Sequence, residues 1–189
     1  MTMDWVTIII AVVILIIVLA IIAWFFSVYN RFYTLKNSAG ATLGQIKVAM
    51  KKRLDMIEQL LGAVKSYAKF EKETFEKVTS LRAEVMKAGA GDLRSIDAAS
   101  RSLFGSIVAV AENYPDLKTS TTVTSLMDSV KGIEDEIARQ RYTYNNIAQE
   151  FNIKMDVVPS NFVGRIIGMT KMEYLQFEEA IEKPPTIAF

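Results

Sequence analysis

The chain has 189 residues, 51% hydrophobic and 23% charged, enough for one domain of ordinary size with an appendage and too few for two comfortable cores. Lys and Arg number 22 against 21 Asp and Glu, so the net charge of +1 supplies no field that would draw the chain onto nucleic acid, and no nucleic-acid partner is expected. With no cysteine and no histidine, the sequence excludes disulfide frameworks, thiol nucleophiles, Cys/His zinc sites, Ser-His-Asp triads and histidine-bearing di-iron bundles. The reading is of a protein without cofactor, metal or catalytic residues, and not of an enzyme.

The appendage comes first. From Ile8 to Phe26 every residue is apolar, and no charge stands between Asp4 and Arg31, which meets the length a helix needs to cross hydrocarbon. Trp5 and Trp24 are nineteen residues apart, about 28 Å at the helical rise, where interfacial aromatics belong. A cleaved signal peptide is the rival reading. Against it, Asp4 stands where lysine would be expected, the apolar run is too long, and no Ala-x-Ala site follows. After the span come Arg31, Lys36, Lys47, Lys51, Lys52 and Arg53, with no acid until Asp55. This bias predicts a short outside N-terminus and a cytoplasmic C-terminal domain on the inner membrane. The basic stretch reads either as a seat for anionic lipid headgroups or as a solvated face whose charge serves topology.

The remainder reads as all-α, an antiparallel bundle of three to four long helices over residues 31–183, behind a membrane segment at 1–30 and ahead of an extended tail at 184–189. Leu43, Ile46, Met50, Leu54, Ile57, Leu61, Val64, Phe75, Val78 and Val85 predict one amphipathic helix from about Ala41 to Lys87. Gly89 and Gly91 stop it, and Asp92 caps a second helix that halts at Tyr114. A third runs from Thr119 or Ser120 to about Ile153. A last one starts near Pro159, with a break near Gly168, and ends at Lys183 before Pro184 and Pro185.

Two features invite a functional reading. The corner Asn113, Tyr114, Pro115 and Asp116 ends one helix and starts another, with Asp116 and Thr119 or Ser120 as caps and Tyr114 folding back on the bundle end. On the third helix Glu134, Ala138, Arg141, Asn145, Ala148 and Asn152 recur at spacings of four and three beside the core stripe, and on the first helix Glu71 and Arg82 occupy positions where the heptad wants apolar residues. The charged and amide residues predict a partly buried polar network that fixes register. Ala138 and Ala148 predict a place where a second copy could approach, so that a homo-oligomer is expected.

The stretches "QIKVAMKKRLDMIEQLLGAVKSYAKFE", "LRAEV", "ENYPDLKTSTTVTSLMDSVKGIEDEIARQRYTYNNIAQEFN" and "VVPSNFVGRIIGM" resemble, in order and spacing, the LemA family of membrane-anchored helical proteins. Where members commonly have Ile-Pro-Asn-Leu this chain has Ile57-Glu58-Gln59-Leu60, and Lys47 stands where an acid is usual. The resemblance implies an N-out single-pass protein with a cytoplasmic bundle, and relatives associated with membrane-bound peptidases or with intracellular membrane compartments. Three functions follow as expectations. The first is a self-associating, membrane-anchored scaffold that organises membrane or partner proteins, the second an adaptor of an integral-membrane peptidase, and the third a ligand-sensing bundle.

Overall fold

The computed structural model describes residues 4–65, 67 and 72–176. Among them are six helices and no strand: α1 (Trp5–Val64), α2 (Lys72–Lys87), α3 (Leu93–Asn113), α4 (Pro115–Lys118), α5 (Thr121–Asp156) and α6 (Ser160–Ile166). The expected all-α class is observed. The extended tail expected at 184–189 lies outside the described residues.

The apolar segment and the first half of the expected long helix form one helix of 60 residues, α1, which passes through Gly40 and Gly44 without interruption. The long helix expected to reach Lys87 does not continue past Val64. Glu58 of α1 and Arg82 of α2 are 24 residues apart in sequence yet bonded at 2.6 Å, whereas a straight helix would hold them about 36 Å apart. The chain reverses between them. Folding α2 back lets it pack on α3 and buries Val78, Leu81 and Val85, a stripe that a straight extension would leave in water.

α3 ends at Tyr114, whose extended backbone (φ −118°, ψ 109°) is what proline at the next position imposes. Pro115 opens the one-turn α4, where a missing N–H costs nothing. Ser120, the residue before α5, accepts a hydrogen bond on Oγ from the Val123 N–H at 3.5 Å. At the far end α6 is only seven residues long. Gly168, at φ +68°, closes it: the Gly168 N–H donates to the Arg165 carbonyl and the Met169 N–H to the Gly164 carbonyl, the paired bonds of a Schellman stop. Residues 169–176 are non-helical, so the second helical stretch expected there is absent from the described residues.

The chain divides into two compact units that are discontinuous in sequence. Unit 1 is Met1–Gly40 with Asn146–Met172, and unit 2 is Ala41–Asn145 with Glu173–Phe189. The core of unit 1 is Phe32, Leu35, Phe151, Val163 and Met169, with Phe25, Val28, Ile147, Met155 and Ile167 packed against it. Phe32 meets Phe151 edge to face at 5.3 Å. Gly164 is held to glycine by close approach, since a Cβ there would lie 2.6 Å from Met155 Sδ and 3.0 Å from Phe32 Cζ. Unit 2 buries Ile46, Met50, Leu54, Ile57 and Leu61 of α1, Leu93, Ile96 and Ile107 of α3, and Val130, Ile133 and Ile137 of α5.

Candidate functional site

The N-terminal part of α1 is long and apolar enough to cross a membrane, and none of its most apolar stretch is buried within the protein. Trp5, Ile8, Trp24 and Phe26 are all exposed, as is every side chain from Val6 to Ala23. A helix apolar all round is stable only inside a large core or inside lipid, and no core among the described residues covers it. The chain thus carries a candidate membrane anchor. Beyond the span, Lys51 and Lys52 are exposed, but Arg53 is not: its side chain is fully buried, so it is not available to lipid headgroups.

Arg53 is instead the enclosed centre of an ion cluster in unit 2 whose outer members, Arg101 and Glu134, reach solvent. Its Nη2 donates to Asp97 Oδ1 at 2.7 Å and to Ser100 Oγ, and its Nη1 stands 3.8 Å from Glu134 Oε1. Asp97 Oδ2 accepts from Arg101 Nε at 2.9 Å, and Ser100 Oγ donates to the Asp97 carbonyl. The cluster ties α1, α3 and α5 together. An arginine cut off from water requires such partners, and breaking the set leaves an uncompensated charge in the core. The sequence reading grouped Arg53 with the lysines and missed this role. The signal was present, because Ile46, Met50, Arg53 and Ile57 follow the four-three-four spacing of the buried stripe.

Of the pair expected on the first helix, Glu71 lies outside the described residues. Arg82 is only two-thirds buried and bonds acids of α1: its Nε lies 2.7 Å from Asp55 Oδ1 and its Nη1 2.6 Å from Glu58 Oε2. The reversal of the chain turns Arg82 towards α1's acidic edge, so that it is partly buried between Asp55 and Glu58.

The polar stripe on α5 is not one network. Glu134 belongs to the Arg53 cluster, Arg141 is half-buried, and the two asparagines bond backbone. In unit 1, Asn152 Nδ2 donates to the Met172 carbonyl at 2.9 Å and its Oδ1 accepts from the Met172 N–H at 2.8 Å. In unit 2, Asn145 does the same for Leu175, at 3.0 and 2.8 Å. Each side-chain amide thus mimics a neighbouring strand. The spacing accounts for the choice of residues, because seven residues of helix rise about 10.5 Å and the three from Met172 to Leu175 reach about 10 Å when extended. Beside Asn145, burial pushes the Tyr144 phenol above its usual range, with the Glu173 charge adding to the effect.

Ala138 is exposed, but Ala148, a residue of unit 1, is completely buried. The surface for a second copy expected at Ala148 is therefore corrected, since its methyl group is already covered by its own chain. At the corner, Asn113 closes α3, Tyr114 joins α3 to α4, and Pro115 and Asp116 form the first turn of α4. Tyr114 is exposed and meets the ring of Tyr67 at 5.9 Å. Asp116 makes no cap, the cap being supplied by Ser120. Among the described residues no group of three or more acidic side chains is placed to hold a metal ion.

Comparison with known proteins gives these features a setting. Magnetosome protein MamQ 2 of Paramagnetospirillum magneticum is 26% identical over 194 residues, covering 88% of this chain and 71% of that protein. Magnetosome protein MamQ of Magnetospirillum gryphiswaldense is 23% identical over 183 residues, covering 82% and 67%. Protein LemA of Metamycoplasma hominis is 27% identical over 136 residues, covering 71% and 62%. The model of the LemA family matches residues 42–189, which hold the Arg53 cluster, both asparagine clamps and α6. The chain belongs to the LemA family.

Proposed function

We propose that the protein is a non-enzymatic, membrane-anchored scaffold whose helical module self-associates and organises membrane or partner proteins. The observation that carries the reading is the construction of unit 1. Where α1 leaves its apolar segment, Phe32 and Leu35 are core residues with Phe151 and Val163, and the partly buried Phe25 and Val28 pack against that core. The anchor joins the module through a folded core and not through a linker, a design suited to holding an assembly at a surface. Family membership and the relatives named as magnetosome proteins support a membrane-associated, non-catalytic role.

The cationic residues that follow the span, Arg31, Lys36, Lys47, Lys51 and Lys52, favour a cytoplasmic module in the inner membrane. In intact cells the exposed Lys51 is then expected to escape a membrane-impermeant amine reagent and to react once cells are opened; labelling in intact cells would reverse the orientation. Light scattering of the full chain in mild detergent tests the scaffold. A defined homo-oligomer is expected, whereas a monomer that co-purifies with a membrane peptidase would replace the scaffold by an adaptor.

A further inference from the structure

The turn between α5 and α6 carries an apolar surface that neither unit 1's core nor its ion pairs use. Ile153, Val157, Val158, Phe162 and Ile166 are exposed within 14 residues of sequence, Ile166 by 73%. Beyond the span, the other exposed large apolar side chains among the described residues, tyrosines aside, are Val48 and Met86. α6 is apolar on two sides. Val163 and Gly164 face the core, while Phe162 and Ile166, four residues apart and so on one helical face, face outwards. A surface of this size on a soluble face would be an aggregation hazard and marks a contact.

Its place in unit 1 identifies the contact. The core beneath this hairpin contains Met155, Val163 and Ile167 on one side and Phe25 and Val28 on the other. Phe25 is the neighbour of Trp24 and Phe26, the exposed aromatics that close the apolar segment of α1. The hairpin therefore shares its core with the end of α1's apolar segment. The ion pair of Asp156 with Lys171, at 2.8 Å, and the exposed Arg165 supply polar groups beside the apolar ones, the arrangement of an element lying in a headgroup region.

We propose that Val157, Val158, Phe162 and Ile166 dip into the bilayer beside the span, so that unit 1 holds the membrane at two places, a crossing helix and a shallow apolar hairpin. The occupant of this surface is lipid, continuous with the lipid around α1. The inference rests on the reading of α1 as a membrane span. The hairpin widens the protein's footprint in the leaflet from which the module emerges, and binding of this kind is sensitive to lipid packing and curvature.

The absence of native cysteine makes the test direct. Single-cysteine variants Leu19→Cys, Gln149→Cys, Val158→Cys and Phe162→Cys of the full chain, each carrying a nitroxide, are reconstituted in vesicles of phosphatidylcholine and phosphatidylglycerol. Accessibility to oxygen and to a water-soluble nickel chelate is then measured. Labels at 158 and 162 are expected to prefer oxygen, as the label at 19 does, while the label at 149 prefers the chelate. Preference for the chelate at 158 and 162 with position 19 still in lipid overturns the hairpin contact alone. Shielding of 158 and 162 from both reagents also overturns it, by showing that protein covers the surface. A water-exposed label at 19 overturns the span and with it this proposal.

Discussion

In unit 1 the side chains at the centre are Phe32, Leu35, Phe151, Val163 and Met169, and the bidentate pair of Arg31 with Glu150 lies at the surface, each side chain nearly half exposed. In unit 2 the largest fully buried side chain is an arginine, Arg53, and its partner Asp97 is almost as deeply enclosed. Both arginines make short, well-formed bonds to carboxylates, so bond length says nothing about which one matters. Water decides it. Around Arg31 the solvent screens the attraction and can replace either partner. Around Arg53 it cannot, and the guanidinium must find its partners on α3 and α5 or α1 cannot lie where it does.

The largest effects are expected from changes that put an unmatched charge in either core. Arg53→Met leaves Asp97 enclosed with only Arg101 and is expected to cost roughly 3–5 kcal/mol in unit 2. The double variant with Asp97→Leu should recover most of that loss. Hydrogen exchange read segment by segment would show α3 amides opening in the single variant and closing again in the double; equal exchange in both would mean that the cluster does not set the register. Ala148→Glu, which forces a carboxylate into a fully buried position of unit 1, is expected to cost at least about 3 kcal/mol and to raise exchange in α6. If the variant kept native exchange in α6, Ala148 would be shown to face a surface after all.

Smaller losses are expected at the asparagine clamps. Asn152→Ala and Asn145→Ala each leave one backbone N–H and one carbonyl without a partner, costing about 1–3 kcal/mol where these are buried. Faster exchange of the Met172 amide in the first variant and of the Leu175 amide in the second would confirm the separate contacts. The smallest effects belong to Arg82→Ala and Arg31→Ala, at about 1 kcal/mol or less, because solvent still reaches both pairs, the Arg31 pair more than the Arg82 pair. A loss at Arg31 as large as at Arg53 would erase the distinction between the two units.

These positions also separate what the sequence displays from what it hides. The all-α class, the apolar segment and the helix-breaking corner at Pro115 were legible because each depends on local chemistry, such as continuous hydrophobicity or a ring that fixes φ. The reversal after Val64 was not legible, since Val64 and Val78 stand fourteen residues apart and keep the heptad spacing across it. Residues 171–176, Lys-Met-Glu-Tyr-Leu-Gln, are good helix formers almost throughout and were read as helix. They are non-helical where Asn145 and Asn152 hold their backbone, and a backbone partner has no signature in the side chains of the segment it binds. Arg53 was obscured by its neighbours, because a basic run after a span has a sufficient explanation in topology. Only its place in the apolar spacing distinguishes it from Lys51 and Lys52.

The claim that the helical module, and not the span, builds the assembly is tested most directly by exchanging Trp5–Trp24 for an unrelated apolar span while retaining Phe25 and Val28, which unit 1 needs for its core. The native span is almost wholly Ile, Val, Leu and Ala and has no GxxxG pairing surface. Light scattering of the chimera in detergent is expected to give the same oligomer mass as the native chain. A monomeric chimera beside an oligomeric native protein would contradict the account and assign self-association to the span.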